Sequence, residues 1–461
     1  MNRREFLNKS CLSIGAAVTS MYLTKCQHTE RRPNIIFLLT DDQRWDTMGC
    51  MGNKIIQTPN MDKMANQGVL FKNAFVTTAI CGASRASILT GQYERRHGVV
   101  GFGNLSDEAN DNAYPLQLKK AGYRIGFIGK YGFGNPPIDQ FDYWKAIIDQ
   151  PNYENKDEDG NYKHYTRICC ENALDFLQKC TREQPFCLSV SFKAPHVQDG
   201  DPRQFIYDPT YKNLYKDAEI PLPKTADDRY FYDVFPEFFT INNEARRRWN
   251  IRFSTYEKYQ ESVRGYYRLI TGVDDVIGEI RKELEKLDQA DNTIIILMGD
   301  NGFYLGEHGM AGKWYGHEES IRVPLIVYDP RLPKSLRGQK RDEMALNIDI
   351  APTLLDIAGV SIPNAIQGQS LKPIIMGKSP EWRDDFFYEH RFQYQAIPKS
   401  EGVVTKRYKY LRYIDSKPMF EELYDLKTDK YEEHNLVRDP NHRDVLIEMR
   451  KKCDDLLEAT K

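Results

Sequence analysis

Pro33-Asn34-Ile35-Ile36-Phe37-Leu38-Leu39-Thr40-Asp41-Asp42 is the run whose interpretation decides the fold. An unbroken apolar core from Ile35 to Leu39, without polar alternation, suits a strand covered on both faces, as at the centre of a parallel sheet. The run ends in two carboxylates. Side chains at the C-terminal end of such a strand open into the crevice where α/β sheets bind ligands, although a bare Asp-Asp pair is more often a turn or a helix cap. A second run, Asn292-Thr293-Ile294-Ile295-Ile296-Leu297-Met298, has the same character and stops at Gly299-Asp300-Asn301-Gly302. Two strands that each deliver oxygens at their C-terminal ends can bring Asp41, Asp42, Asp300 and Asn301 together. Hard oxygen ligands without imidazole or thiolate favour calcium or magnesium over zinc.

Working outward, strands and helices alternate. Residues 113–121 suggest a helix, 123–128 a strand ending at Gly129-Lys130, 171–180 a helix, and 186–192 a strand ending at Lys193-Ala194-Pro195-His196. Tyr266, Tyr267, Ile270, Val273, Ile277, Ile280, Leu284 and Leu287 recur at helical spacing, which predicts an amphipathic helix packed on the sheet. A strand over 321–327 and a helix over 346–358, with Pro352 suited to its first turn, follow. Residues 151–165 read as a polar surface insertion, and 199–254, rich in Pro, Asp, Tyr and Phe, as a long lid or rim. Arg246-Arg247-Arg248 within it reads by default as a solvated helix face, with a role near an anionic saccharide as the minor alternative. A boundary falls between 368 and 380. Beyond it, 386–391, 401–405, 408–413 and 422–425 predict short antiparallel strands, and 445–459 a closing helix. The expected fold is therefore α/β, a large domain over 33–372 and a smaller subdomain over 380–461, with no internal repeat.

The 461 residues suffice for one large and one small domain. With 64 basic and 66 acidic residues the formal charge is −2, which gives no electrostatic case for nucleic acid or an anionic membrane surface. None of the nine cysteines shows metal-knuckle spacing. Cys180 and Cys187 could pair in an exported chain, but buried thiols are the preferred expectation. The N-terminus is an address. Arg3-Arg4-Glu5-Phe6-Leu7 precedes an apolar run from Cys11 to Leu23 too short to span a membrane, the pattern of a twin-arginine export signal over residues 1–26. Leu23-Thr24-Lys25-Cys26 resembles a lipoprotein box, except that Lys25 stands where a small residue is expected. The chain is thus expected to be exported, periplasmic or lipid-anchored at a bacterial envelope.

Cys81-Gly82-Ala83-Ser84-Arg85-Ala86-Ser87-Ile88-Leu89-Thr90-Gly91 follows a strand-like stretch and opens a helix. A cysteine at such a start sits near helix N–H groups that favour an anion. Arg85, one turn on, can grip a tetrahedral anion. Alone, a buried thiol and an ordinary ion pair would be the better explanation.

The whole string resembles the type I sulfatase signature, C-x-[P or A]-S-R-x-x-x-L-T-G, and the similarity extends along nearly the whole chain. The resemblance implies an alkaline-phosphatase-like fold with largely parallel sheet, helices on both faces and a small C-terminal antiparallel subdomain. It implies conversion of Cys81 to formylglycine. Ala83, where most relatives carry proline, is similar to the variant matured by the anaerobic radical enzymes of bacteria. Asp41, Asp42, Asp300 and Asn301 match the divalent-cation ligands, usually calcium, and residue 81 completes the shell. Lys130, His196, His308 and Lys313 match positions around the sulfate and the departing oxygen, with Arg85 beside them. Gly132 stands where many relatives have histidine.

The function so implied is hydrolysis of a sulfate ester on a saccharide. The hydrated aldehyde attacks sulfur, Lys130, His196 and Lys313 hold the sulfate oxygens, and His196, or His308 with Lys313, assists alcohol departure. Two competitors remain at this level: a phosphomonoester or phosphonate-ester hydrolase on the same scaffold, and a non-catalytic receptor for sulfated glycans. His390, Arg391 and Lys399 are candidate substrate contacts, with surface or structural roles as the alternative.

Overall fold

An eight-stranded sheet runs through the centre of the molecule. In this computed structural model, which describes residues 31–394 and 396–461, its strands are β1 (Asn34–Asp41), β2 (Val69–Phe71), β3 (Arg124–Lys130), β4 (Tyr143–Ile147), β5 (Phe186–Pro195), β6 (Thr293–Gly299), β7 (Leu325–Tyr328) and β8 (Gln339–Arg341). The spatial order is β8-β2-β7-β6-β1-β5-β3-β4. β1 lies parallel to β5 and β6, and β3 parallel to β4 and β5, whereas β7 runs antiparallel to both its neighbours. The export and lipid-anchor expectations for residues 1–26 lie outside the described residues.

The strand alternation explains why β1 is apolar throughout. Ile36 and Leu38 turn to one face, where they pack with Ile295, Leu297, Leu188 and Val190 against helices α3 (Tyr165–Gln178) and α5 (Tyr256–Lys286). Ile35, Phe37 and Leu39 turn to the other, joining Ile294, Ile296 and Met298. That face is covered by α2 (Tyr114–Lys120), α6 (Ile350–Ile357) and a second sheet. The second sheet is an antiparallel meander of β9 (Asp385–His390), β10 (Ser400–Thr405), β11 (Tyr408–Tyr413) and β12 (Phe420–Asp425). The last helix, α7 (Arg443–Ala459), turns Leu446, Met449 and Cys453 inward. The architecture is the expected one, a mixed and mostly parallel sheet between helices with a C-terminal antiparallel subdomain. Among the described residues no helix is long and apolar enough to cross a membrane.

The long 199–254 segment carries helices of its own: α4 (Glu244–Arg252), started by the Asn243 side chain accepting from Ala245 N, and two shorter helices, Arg229–Tyr232 and Glu237–Thr240. Two local expectations change. Within α4, Arg246 is buried rather than solvated, 3.9 Å over the Trp249 ring and donating to the Gly309 carbonyl. Pro324 divides the predicted 321–327 strand in two, because it cannot donate to a ladder. Arg322–Val323 pairs with Ala74–Phe75, and β7 pairs with the main sheet. The seven cysteines among the described residues are free thiols, Cys180 and Cys187 included.

Candidate active site

Helix α1 (Cys81–Thr90) organises the site. Every residue of it is buried, it ends at Gly91 in a left-handed turn (φ 67°), and no side chain caps its start at Ile80. Its first turn, carrying Cys81, lies against the C-terminal ends of β1 and β6. Those two strands are in register, Thr40 opposite Gly299, so the residues that follow them emerge side by side. Asp42 adopts φ 65°, its backbone N–H donates to Asp300 Oδ1 (3.1 Å), and Tyr266 on α5 donates to its carbonyl (2.6 Å). These bonds turn both carboxylates inward.

The cluster is dense. Cys81 Sγ lies 3.1 Å from Asp41 Oδ1 and receives Lys313 Nζ at 2.9 Å. Lys313 also donates to Asp42 Oδ1, and Lys130 Nζ to Asp41 Oδ2. Arg85 Nε donates to Asp300 Oδ2 at 2.8 Å, and its Nη2 is 3.5 Å from Asp41 Oδ2. Arg85 Nη1 donates to the Lys130 carbonyl (2.6 Å) and to Ser191 Oγ. His196 Nε2 approaches Asp42 Oδ2 at 3.6 Å while its Nδ1 faces the Val197 carbonyl at 2.7 Å. Asn301 Nδ2 donates to Asp42 Oδ1 at 2.6 Å. Ligand atoms of Asp41, Asp42, Cys81 and His196 all fall within 4.8 Å of one another.

Three buried carboxylates this close cannot share one electrostatic fate. Burial works against the charge of Asp41, but the cations Lys130, Arg85 and Lys313 outweigh it and hold the group well below the usual range. Burial lifts Asp42 to about 6, Asp41 and Asp300 add to the rise, and Lys313 opposes it. Burial also raises Asp300, with Asp41 adding. The Cys81 thiol is pushed up by burial and by Asp41. Burial holds His196 neutral, well below its ordinary value. Lys313 is held charged, because Asp42 and its other neighbours outweigh burial.

The donor set fits a hard divalent cation. Asp42 Oδ2 and Asn301 Oδ1 are buried oxygens with no hydrogen-bond partner, an expensive state unless something charged meets them. Aspartate and amide oxygens beside them are the ligands such an ion takes.

Cys81, Lys130, His196 and Lys313 line a cavity of about 640 Å³. Arg85 stands behind it, bracing the acids. Among the described lining residues His308, His390 and Arg391 do not occur. His308 takes φ 53° in the Gly306–Gly309 turn, which lays its ring on His317 (4.9 Å between centroids, 20°) in the interior rather than toward the cleft. His390, the last residue of β9, is wholly buried and pushed down to about 3. Arg391 is half-buried beside it, and Lys399 lies 3.7 Å from Asp415. The lining also includes residues with no local sequence signal, such as Gln150, Asp199, Glu244, Trp314, Phe392 and Tyr394, and Arg248 from the arginine run. Gly132 completes the wall at φ 92°, where a Cβ would come 2.8 Å from Arg85 Cδ.

Residues 33–360 match the family model described as sulfatase, and residues 306–459 the model described as N-sulphoglucosamine sulphohydrolase, C-terminal. An N-acetylglucosamine-6-O-sulfatase of Bacteroides thetaiotaomicron is 31% identical, with 93% of this chain and 87% of that one covered. An arylsulfatase of Clostridium perfringens is 30% identical, covering 91% and 93%. A solved structure described as in complex with its substrate D-glucosamine-2-N,6-O-disulfate matches with a TM-score of 0.82 at 27% identity, covering 93% of this chain and 98% of that one. The fold is alkaline-phosphatase-like. From a family match across most of the chain and relatives aligned over nine-tenths of it, the chain belongs to the sulfatase family and is a sulfuric ester hydrolase.

Proposed function

We propose that the chain removes sulfate from a saccharide, releasing inorganic sulfate, with formylglycine made from Cys81 as nucleophile and calcium as its cation. The observation that carries this is Cys81 at an uncapped helix start, between Asp41 and Lys313, on the wall of a ligand-sized cavity. A thiol raised by burial is neutral and a poor nucleophile there, which speaks against unmodified Cys81 as the attacking group. The carbohydrate sulfatases among the relatives support the saccharide.

Asp41, Asp42, Asp300 and Asn301 would hold the cation, which supplies charge neutralisation as negative charge shifts during sulfuryl transfer. Formylglycine supplies a hydrated aldehyde, with one hydroxyl to attack and a second to expel the sulfate. The protein's own groups do the rest. Lys313, kept charged by its acidic neighbours, bridges Asp42 and position 81, so it both binds a sulfate oxygen and delivers a proton to the departing alcohol oxygen. Lys130, anchored on Asp41, presents a second cation to the ester. His196, with Nδ1 donating to the Val197 carbonyl, turns Nε2 to the cleft and takes up a proton as it binds an anionic oxygen. Arg85 holds Asp41 and Asp300 in place. Ala83 favours the anaerobic radical type of maturation enzyme, and Arg3-Arg4 favours export, with Cys26 the point of any lipid anchor.

Mass spectrometry of the peptide carrying residue 81, with release of sulfate and phosphate from matched 4-nitrophenyl esters, tests this. Formylglycine at 81, faster sulfate release and a loss on the order of 10⁴-fold or more in Cys81→Ala are expected. An intact Cys81 with full turnover overturns it.

A further inference from the structure

Three aromatic rings at the rim of the cavity have no part in the chemistry above. Phe102 is 51% exposed and Tyr394 48% exposed, yet both line the same cavity as Cys81. Phe392 joins them. Its ring lies within 5° of parallel to that of Tyr394, centroids 6.2 Å apart, and Phe102 stands upright to it at 83° and 5.8 Å. The result is a flat ledge with one wall. Gly101 lets the ledge form: at φ 67°, it approaches Phe392 so closely that a Cβ would lie 2.3 Å from the ring. Exposed apolar surface in a ligand groove marks a place that something covers.

We propose that Phe102, Phe392 and Tyr394 form a second sugar subsite, which holds the uncharged pyranose linked to the sulfated ring. The proposal rests on the saccharide-sulfatase reading. A pyranose turns a patch of C–H groups from one face, and these pack on the negative face of an aromatic ring. A cavity of 640 Å³ has room beyond the sulfated ring, within the range of about 300–1,000 Å³ typical of ligand sites. Charge argues for a neutral occupant. The charged groups on this side of the lining are Asp149, Asp199, Glu244 and Arg248. Arg248 is already engaged, donating to Glu244 at 2.7 Å and 3.4 Å from Asp199. Its neighbours on α4 are engaged likewise, Arg247 by Glu244 and Arg252 near Asp199 at 3.5 Å. Asp149 remains exposed to accept bonds from sugar hydroxyls and would repel a carboxylate or a second sulfate, whereas Asp199, also exposed, has its charge matched by Arg248 and Arg252.

The test uses the matured, calcium-loaded chain with three probes: 4-nitrophenyl sulfate, N-acetylglucosamine 6-sulfate, and the disaccharide in which that sulfated ring is joined to galactose. The disaccharide is expected to exceed the monosaccharide in kcat/KM by about three- to tenfold. Phe102→Ala and Tyr394→Ala, both at exposed positions, should each remove most of that advantage while leaving 4-nitrophenyl sulfate turnover and Tm unchanged. Equal wild-type values for the two sugars, or variants that lower all probes together, overturn the subsite. If none of the three probes releases sulfate, the saccharide-sulfatase reading fails instead. In that case, or if neither sugar is turned over, calorimetry on the Cys81→Ala protein decides. Tighter disaccharide binding that F102A and Y394A abolish supports the ledge, and its absence refutes it.

Discussion

Gly132 shows how tightly single residues constrain this cleft. Its φ of 92° lies in the region that favours glycine, and a side chain there would meet Arg85 Cδ at 2.8 Å and Lys130 Cε at 3.3 Å. Arg85 cannot step aside, because Asp300, Ser191 and the Lys130 carbonyl all hold it. Gly132→Ala should therefore cost about 1–3 kcal/mol in denaturant unfolding. Its kcat/KM should fall by about 10²-fold through displacement of Arg85. Wild-type kinetics in this variant would mean that Arg85 has slack. The histidine that many relatives carry here has no room on this backbone. The departure was visible in the sequence; its cause was not, since neither φ nor the Arg85 contact is a local pattern.

At the level of elements, the two central strands were the most legible parts. Both faces of β1 and β6 are buried, so their composition is uniformly apolar, and the polar residues after them mark where the chain leaves the sheet. Helix α1 was legible from its signature, and α5 from its periodicity. The rim was not, because Phe102 and Phe392 meet across nearly 300 residues of sequence, and no window contains such a convergence. The direction of His308 was not legible for a related reason: a glycine-rich turn can send a side chain either way, and here it faces His317. The tie between α5 and the end of β1 gives a prediction. Tyr266 hydroxyl donates to the Asp42 carbonyl and accepts from Arg44 N (3.0 Å). Tyr266→Phe leaves both buried backbone groups unpaired, so a loss of about 1–3 kcal/mol is expected, together with weaker calcium binding as the Asp42 turn loosens. Unchanged calcium titration would separate the turn from the ligands.

Across the whole molecule, carboxyls are buried in quantity. Burial lifts Glu94 and Glu319 to about 8 and Glu389 to about 7, each with help from neighbouring acids. Asp42, at about 6, follows the same rule. A carboxyl raised in the folded state loses its proton later than in the unfolded chain. Its stabilising effect is complete below the ordinary value and disappears as pH rises through the raised one. Below about pH 6.5 the buried neutral histidines, His196 and His390 among them, work the other way, because the unfolded chain must release their protons as pH rises. The calcium-free protein should therefore lose stability between about pH 6.5 and pH 8. Calcium should raise Tm more at pH 7.5 than at pH 5, where protonated Asp42 competes with the ion. Thermal unfolding with and without chelator measures this, and a rising Tm between about pH 6.5 and pH 8 without calcium would contradict it. A last consequence concerns timing. Cys81 is 2% exposed, and Ile80 and Ala83 on either side of it are sealed into an apolar cluster with Phe231 and Tyr304. No catalyst the size of a protein can reach that sulfur once the walls have closed. If Cys81 is converted as proposed above, the oxidation has to come while 81–91 is still a loose ribbon, and on that reading a chain that folds first is stranded, well formed and inert.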